Sequence, residues 1–444
     1  MAGKYEAPRK NLRLLWLAAV LVLVFALLGV LAMDRKAPVP VGTVPTFTQP
    51  EETQPTRPTE GKQGVTARAT VAAQGDLLMH ATFFQQKYNP ACRLEEGDYD
   101  FSSLFRYVKK HVAAADYAAA NLETTFGGDA FPYQGNPSFN CPDDLMKAVQ
   151  KAGYDLLLTA NNHSYDTLMS GMSRTLNCVR EAGLDALGTR LSTEEPRFLV
   201  KEINGIRIGM VCYTYTMTMS GGKPRLNDNS PVEKPEQLNY FTTSNLEKFY
   251  EEMELIMEAM GEAGAETTML FIHWGTEYEI VENETQRKIA QKMCDLGFDV
   301  IIGGHPHVVQ PMALLESGVD PEHKTVCIYS LGNAVSNQRR DLMRLKTGHT
   351  EDGVLFTVTF EKTSDGAVRV ADCNVLPTWV HLYENSDEKK EYNILPIDRE
   401  DQQQWKELYG ISDEVCTELQ KSWDRTMDIV GEGLQQCRAY VSEQ

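Results

Sequence analysis

Five short apolar runs, each ending on a side chain able to bind a metal or move a proton, constrain this chain more than any other feature. Ala67–Gln74 runs into Gly75-Asp76, Ala118–Ala120 into Asn121, and Tyr154–Ala160 into Asn161-Asn162-His163. Farther on, Thr268–Ile272 runs into His273, and Val300–Ile302 into Gly303-Gly304-His305. Stretches of helical periodicity lie between them, at Asp143–Ala152, Leu168–Glu181, Asn245–Met260 and Thr285–Leu296. Such alternation predicts α/β layering, with strands covered by helices. Two hairpins are expected as well. Asn204-Gly205 joins Arg197–Ile203 to Ile206–Tyr213, and Ser364-Asp365-Gly366 joins Val354–Lys362 to Ala367–Val375. The expected core is a mixed α/β sandwich, residues 65–384. Beyond it, residues 385–444 read as a polar helical extension, with helices at Asp401–Leu408 and Asp413–Val441.

The N-terminal end follows different rules. Leu14 to Met33 is a run of 20 residues without a charge, long enough to cross a hydrocarbon core of about 30 Å as a helix. Lys4, Arg9, Lys10 and Arg13 precede it against a single Glu6, so the positive-inside rule leaves residues 1–13 in the cytoplasm and exports the rest. A cleaved signal peptide is the competing reading. Its apolar core would be about 7–15 residues long and end in a small-residue cleavage site, which Gly29-Val30-Leu31-Ala32-Met33 does not supply. The expectation is an uncleaved single-pass anchor. Residues 34–64 follow, with Pro38, Pro40, Pro45, Pro50, Pro55 and Pro58 among Thr, Gln and Glu. This composition cannot bury apolar surface and reads as an extended stalk.

Charge excludes one class of partner. The chain carries 43 basic and 62 acidic side chains, a formal net charge of −19, which repels phosphate backbones and argues against nucleic acid. Nine cysteines (Cys92, Cys141, Cys178, Cys212, Cys294, Cys327, Cys373, Cys416 and Cys437) are odd in number, widely spaced and without a C-x-x-C. They indicate neither a disulfide framework nor a thiolate zinc site, though a single bridge is left open.

The polar residues at the strand ends carry the chemistry: Asp76, His80, Asn121, Glu123, Asn162, His163, His273, His305 and His307. In open α/β sheets ligands collect at the carboxyl ends of strands, so these side chains would converge. Oxygen and imidazole donors without thiolates suit Zn, Mn or Fe. His305-Pro306-His307 could reach two adjacent metals if Gly303-Gly304 let the loop bend. Each has a plainer reading taken alone. Gly75-Asp76 could be a turn, His273 a half-buried histidine, Asn161-Asn162 caps for a helix starting near Asp166, and His80 the start of the next element. Five such strand ends together are what those readings leave unexplained.

These residues form a series. Gly75-Asp76, Asn121-Leu122-Glu123, Asn161-Asn162-His163-Ser164-Tyr165-Asp166, His273-Trp274-Gly275 with Glu277, Gly304-His305-Pro306-His307 and Ser330-Leu331-Gly332-Asn333 resemble the motifs of the poly-γ-glutamate capsule biosynthesis proteins of the CapA type, in order from about Val65 to Val380. That family is similar to calcineurin-like metallophosphoesterases. The resemblance implies a four-layer αββα sandwich with two divalent metal ions. It implies that Asp76 and His307 bind the first metal, that Glu123 bridges, and that Asn162, His273 and His305 bind the second. His163 would be the acid facing the leaving group. His80 stands four residues after Asp76 where the phosphoesterases have Asp-x-His, and Glu123 stands where they have Asp. Leu168 and Ala334 also depart from the capsule family's pattern. The implied partners are poly-γ-glutamate or another envelope polymer, the membrane through the N-terminal helix, and other membrane subunits of a capsule synthesis complex. Arg174, Arg339 and Arg340, if near the cleft, would attract a polyanion. A metal-dependent hydrolase or transferase, an envelope phosphoesterase and a non-catalytic polymer-guiding subunit all stay open.

Overall fold

Successive residues of each central strand face different packing layers, and this alternation organises the whole molecule. A computed structural model describes residues 64–85, 98–216, 218–227, 229–384, 389–398 and 402–443. The expected anchor at 14–33 and the stalk to residue 63 lie outside them. No helix among the described residues is long and apolar enough to cross a membrane.

In chain order the strands begin with β1 (Val65–Leu77), β2 (Tyr117–Asn121), β3 (Leu156–Leu158), β4 (Asp185–Leu187), β5 (Phe198–Ile203) and β6 (Ile206–Thr216). Next come β7 (Thr218–Ser220), β8 (Lys223–Arg225), β9 (Tyr240–Thr242), β10 (Thr267–His273), β11 (Val300–Gly304) and β12 (Val309–Glu316). The last are β13 (Lys324–Leu331), β14 (Asn333–Val335), β15 (Asp352–Thr363), β16 (Val368–Glu384) and β17 (Lys390–Pro396). One sheet has the order β17-β16-β15-β1-β2-β3-β4, with β14 also on β1; the other runs β12-β13-β11-β10-β6-β5, with β9 on β6. The strands β1 to β4 are parallel, as are β6, β10, β11 and β13. Both expected hairpins form. Asn204 and Gly205, at φ 49° and 85°, join β5 to β6, and residues 364–367 join β15 to β16.

Val71 and Ala73 of β1 meet Phe271 of β10 and Ile302 of β11 in a core between the sheets. Their neighbours face outward. Ala72 and Leu157 pack against Leu145 and Val149 of the helix Leu145–Ala152. Leu270 and Ile301 pack against Met253 of the helix Leu246–Glu262 and Met293 of the helix Glu284–Asp295. The order is helix, sheet, sheet, helix, which explains why the parallel strands are apolar on both faces.

The boundary expected at residue 384 is corrected. Beyond it β17 continues the first sheet, pairing Trp379 with Leu395 and Val380 with Ile394. The charged run Asp387-Glu388-Lys389-Lys390-Glu391 hides this strand, whose buried residues are Tyr392–Pro396. The two helices expected at the C-terminus form at Gln402–Tyr409 and Asp413–Glu443. The second is not an appendage: Val430, Leu434 and Cys437 enter the core between the sheets.

Candidate metal centre

Strand register gathers the site. In the first sheet Asp76 pairs with Asn121 on one side and Asn333 on the other, while Asn121 pairs with Leu158, just before the Asn161–His163 turn. In the second sheet His273 pairs with Gly304 and Thr214. Two close backbone approaches make this possible. A Cβ on Gly75 would lie 1.8 Å from the Gly332 carbonyl oxygen, and one on Gly303 would lie 2.0 Å from that of Tyr329. The bend that separates His305 from His307 was expected at Gly303-Gly304. It falls instead on the histidines themselves, at φ 96° and 56°.

Two donor groups result, and they share Glu123. One is Glu123, His273 and His305; the other is Asp76, Glu123 and His307. His273 Nε2 lies 3.2 Å from His305 Nδ1, 2.7 Å from Asn162 Oδ1 and 3.7 Å from Glu123 Oε1. His307 Nδ1 lies 3.0 Å from Asp76 Oδ2, and its Nε2 lies 3.8 Å from the same Glu123 Oε1. That oxygen is buried and has no hydrogen-bond partner. Buried carboxylate oxygens are nearly always satisfied, so an orphan at the centre of four imidazole and carboxylate donors fits a cation.

Neighbouring groups aim the donors. Asn121 Nδ2 donates to Asp76 Oδ1 at 2.7 Å and to Glu123 Oε2 at 3.1 Å, and its own oxygen accepts from Asn161 at 3.1 Å. Asn227 accepts from Asn162 Nδ2 at 3.0 Å, which turns Asn162 Oδ1 toward His273. Tyr215 Oη sits 2.8 Å from His305 Nε2, and burial pushes its phenol up to about 12. With Nε2–H donating to that oxygen, His305 Nδ1 presents its lone pair to His273 and Glu123. Burial, then His305 and His307, hold His273 well below the usual imidazole range; burial and His307 do the same to His305. That direction favours the neutral imidazole, the form that binds metals. Burial, then Asp76, push the Glu123 carboxyl well above its ordinary range, the consequence of crowding two carboxyls into one buried site.

His163 stands apart from its neighbour Asn162. Its Nδ1 is 2.7 Å from Asp166 Oδ2, and its ring meets Phe139 edge-on at 4.6 Å. Asp166 is itself fixed by the Phe139 amide at 2.6 Å and by Asn229 Nδ2 at 2.9 Å. Neither Asn161 nor Asn162 caps the following helix, which starts at Leu168 after Thr167.

Not every candidate joins the groups. His80 Nδ1 accepts from the Asn337 amide at 3.2 Å, its ring packs edge-on against Phe139 at 5.3 Å, and burial lowers it to about 4. Glu277 is exposed. The three arginines suggested for a polyanion are already engaged, which corrects that expectation. Arg174 binds Asp143 twice, Arg340 binds Glu351 and Glu418, and Arg339 is 3.7 Å from Glu351. Sequence reasoning did not single out Tyr215 or Asn227, and gave Asn333 no role. Asn333 Oδ1 lies 3.2 Å from His307 Nδ1 and its amide donates to the His307 carbonyl at 3.1 Å; its place after Gly332 in a strand-end motif was the available signal.

Comparisons with known proteins place the chain in a family. The family described as "Bacterial capsule synthesis protein PGA_cap" matches residues 70–338, which include every member of both donor groups. "PGA biosynthesis protein CapA" of Bacillus subtilis (strain 168) is 27% identical over 277 residues, covering 62% of this chain and 65% of that protein. "Capsule biosynthesis protein CapA" of Bacillus anthracis is 26% identical over 280 residues, covering 61% and 60%. The chain thus spans less than two thirds of the length of these curated relatives. A solved crystal structure, that of TT1561 of Thermus thermophilus, aligns with a TM-score of 0.32 and 11% identity, covering 65% of this chain and 93% of that one. The match over more than half of its length identifies the chain as a member of the bacterial capsule synthesis protein family PGA_cap.

Proposed function

We propose that this protein is a membrane-anchored, extracytoplasmic component of poly-γ-glutamate capsule synthesis, export or attachment, with a two-metal site of metallophosphoesterase type. The observation that carries the metal reading is the orphaned Glu123 Oε1 shared by two donor groups. Asp76 and His307 would hold one ion, Asn162, His273 and His305 the other, with Glu123 between. Donors free of thiolate suit Mn, Zn or Fe. Two such ions, when bound, supply Lewis-acid polarisation and a water acidic enough to attack at neutral pH. The chain's own residues do the rest. Asp166 takes the His163 Nδ1 proton in a hydrogen bond, which leaves Nε2 as the nitrogen that gives a proton to a leaving group. Asn121 holds Asp76 and Glu123 in place, and Tyr215 fixes the ring of His305. With Arg174, Arg339 and Arg340 paired, bound cations would supply positive charge to a polyanion at this site.

The test is metal analysis of the full chain followed by a panel of phosphodiesters and γ-glutamyl oligomers. His163→Gln should keep its metals and fold while losing about 100-fold or more of the turnover, the lower end of general-acid contributions; Asn162→Ala should lose metal as well. A metal-replete His163→Gln protein with wild-type output would make the protein a polymer-guiding scaffold instead. The anchor at 14–33 predicts that protease added to intact cells cuts within residues 34–64. Cleavage only after lysis would place the domain inside.

A further inference from the structure

Cys373 and Cys437 are 64 positions apart in the chain, and both lie beyond residues 70–338 that match the family. Cys373 is on β16, and Cys437 is near the end of the C-terminal helix Asp413–Glu443. Both are buried, at 1% and 0% exposure, in the core between the sheets.

Contacts on either side of Cys437 fix this meeting. Gly433 stands one turn before it on the same helix face. A Cβ on Gly433 would lie 1.9 Å from the Met312 carbonyl oxygen of β12, so the helix is seated at backbone distance. On the other side, Arg438 Nε donates to the Cys373 carbonyl at 3.2 Å, and one of its Nη atoms donates to Asn374 Oδ1 at 2.5 Å. The helix is thus held down on the second sheet and in register with β16. Between these anchors the two thiols are in hydrogen-bonding contact. Cys437 is the donor. Its hydrogen bond holds the Cys373 thiol below the usual range and pushes Cys437 itself above it. The pair therefore divides into one sulfur with thiolate character and one that keeps its proton. Thiols already in contact need only small side-chain rotations to reach the bonding distance of about 2.05 Å. A domain outside the cytoplasm meets the oxidants that close such pairs.

We infer that Cys373 and Cys437 are joined by a disulfide that staples the C-terminal helix to β16, an inference that rests on the extracytoplasmic placement proposed above. The oxidant is a small-molecule disulfide of the glutathione class. The Cys373 thiolate attacks one of its sulfurs and releases one thiol; Cys437, deprotonated as it attacks, displaces the second thiol from the mixed disulfide. Two electrons pass to the oxidant, and the two cysteine protons end on the two released thiols. Because both sulfurs are buried in the folded protein, the exchange takes place before the helix docks. The closed bond secures the helix whose Arg425 and Glu418 pair with Asp352 and Arg340.

The test has two arms, both on the full chain. In the first, membranes of expressing cells are blocked with an alkylating agent and unreduced peptides are mapped by mass spectrometry. In the second, the purified chain in detergent is denatured, reduced and refolded in oxidised or in reduced glutathione. Both arms should give a peptide pair joined through Cys373 and Cys437, lighter by two hydrogen atoms than its separate members. Closing a loop of this length should raise the melting temperature of the oxidised protein by roughly 5–10 °C over the reduced one. Cys373→Ala and Cys437→Ala should each abolish the linked peptide and that difference. Linkage on refolding but not in cells supports the pair and counts against the extracytoplasmic reading. No linked peptide in either arm overturns the proposal, as does an undiminished difference in melting temperature in the alanine variants. Where the chain does not refold, the cell-derived sample decides alone.

Discussion

Replacing Glu123 by Gln keeps shape and volume while removing one charge, and the two donor groups make its consequences opposite in sign with and without metal. In the metal-free protein Glu123 is fully buried, its Oε1 has no donor, and Asn121 Nδ2 is divided between its Oε2 and Asp76. Relieving an unsatisfied buried acceptor and one of two crowded carboxyls should stabilise the metal-free fold by about 1–3 kcal/mol. With metal the balance reverses. An ion at 100 times its dissociation constant stabilises the wild type by about 2.7 kcal/mol. For a domain larger than about 250 residues this corresponds to roughly 5 °C in melting temperature. Because Glu123 belongs to both groups, Glu123→Gln should lose most of that shift, whereas a ligand to one ion alone would lose part of it. The assay is differential scanning calorimetry of both proteins, after chelation and again with added Mn or Zn. The reasoning fails if the variant keeps the full metal-induced shift. It fails equally if the chelated variant melts several degrees below the chelated wild type, because Glu123 would then be a satisfied structural carboxylate.

Two further outcomes follow from groups around and away from the site. Asn121→Ala removes the amide that aims Asp76 and Glu123; metal titration should give affinity about 10–100-fold weaker with the fold intact, and wild-type affinity would remove Asn121 from this role. His381, stacked between Trp379 and Tyr383, is lowered by burial to about 4. The unfolded chain therefore takes up this proton first, near pH 6.5, so the stability contributed is full above that pH and falls toward pH 4. Between pH 7 and pH 5 the loss is about 2 kcal/mol. His381→Phe should remove that part of the slope in urea unfolding, and an unchanged slope would refute the assignment.

How much of this could be read from sequence follows from interaction range. The strands were legible because parallel strands buried on both faces are continuous apolar runs, as at Thr268–Ile272 and Val300–Ile302. Their polar ends were legible as a set because parallel pairing brings carboxyl ends together. What was hidden depended on contacts across the chain. Tyr215 reads as one more aromatic in a strand, and only the second sheet's packing sets it beside His305. Arg340 reads as a free cation until Glu351 and Glu418 are found beside it. β17 lay behind a charged run. The bend at His305 and His307 was misplaced because glycine is the usual carrier of positive φ, whereas Gly303 is needed where a Cβ would strike Tyr329.

That displaced bend ties the fold to the function. Non-glycine residues in left-handed backbone cost on the order of 1–3 kcal/mol each and persist where the surroundings over-determine them. Here they are over-determined. The Trp274 amide donates to the Gly304 carbonyl at 3.1 Å, the Tyr278 amide to that of Pro306 at 2.8 Å, and Asn333 to that of His307 at 3.1 Å. Asn333 also donates to the Thr350 carbonyl at 2.9 Å. The two residues that follow Thr350 are anchored to the C-terminal helix, Glu351 through Arg340 to Glu418 and Asp352 directly to Arg425 at 2.7 Å. The last helix is thereby continuous, through partly buried ion pairs and one amide, with the loop that carries His307. A sheet end alone would leave His305 and His307 on one side of a relaxed turn. Strain held by both the sheet and the C-terminal helix is what sets the two rings on either side of Glu123, where each donor group needs one.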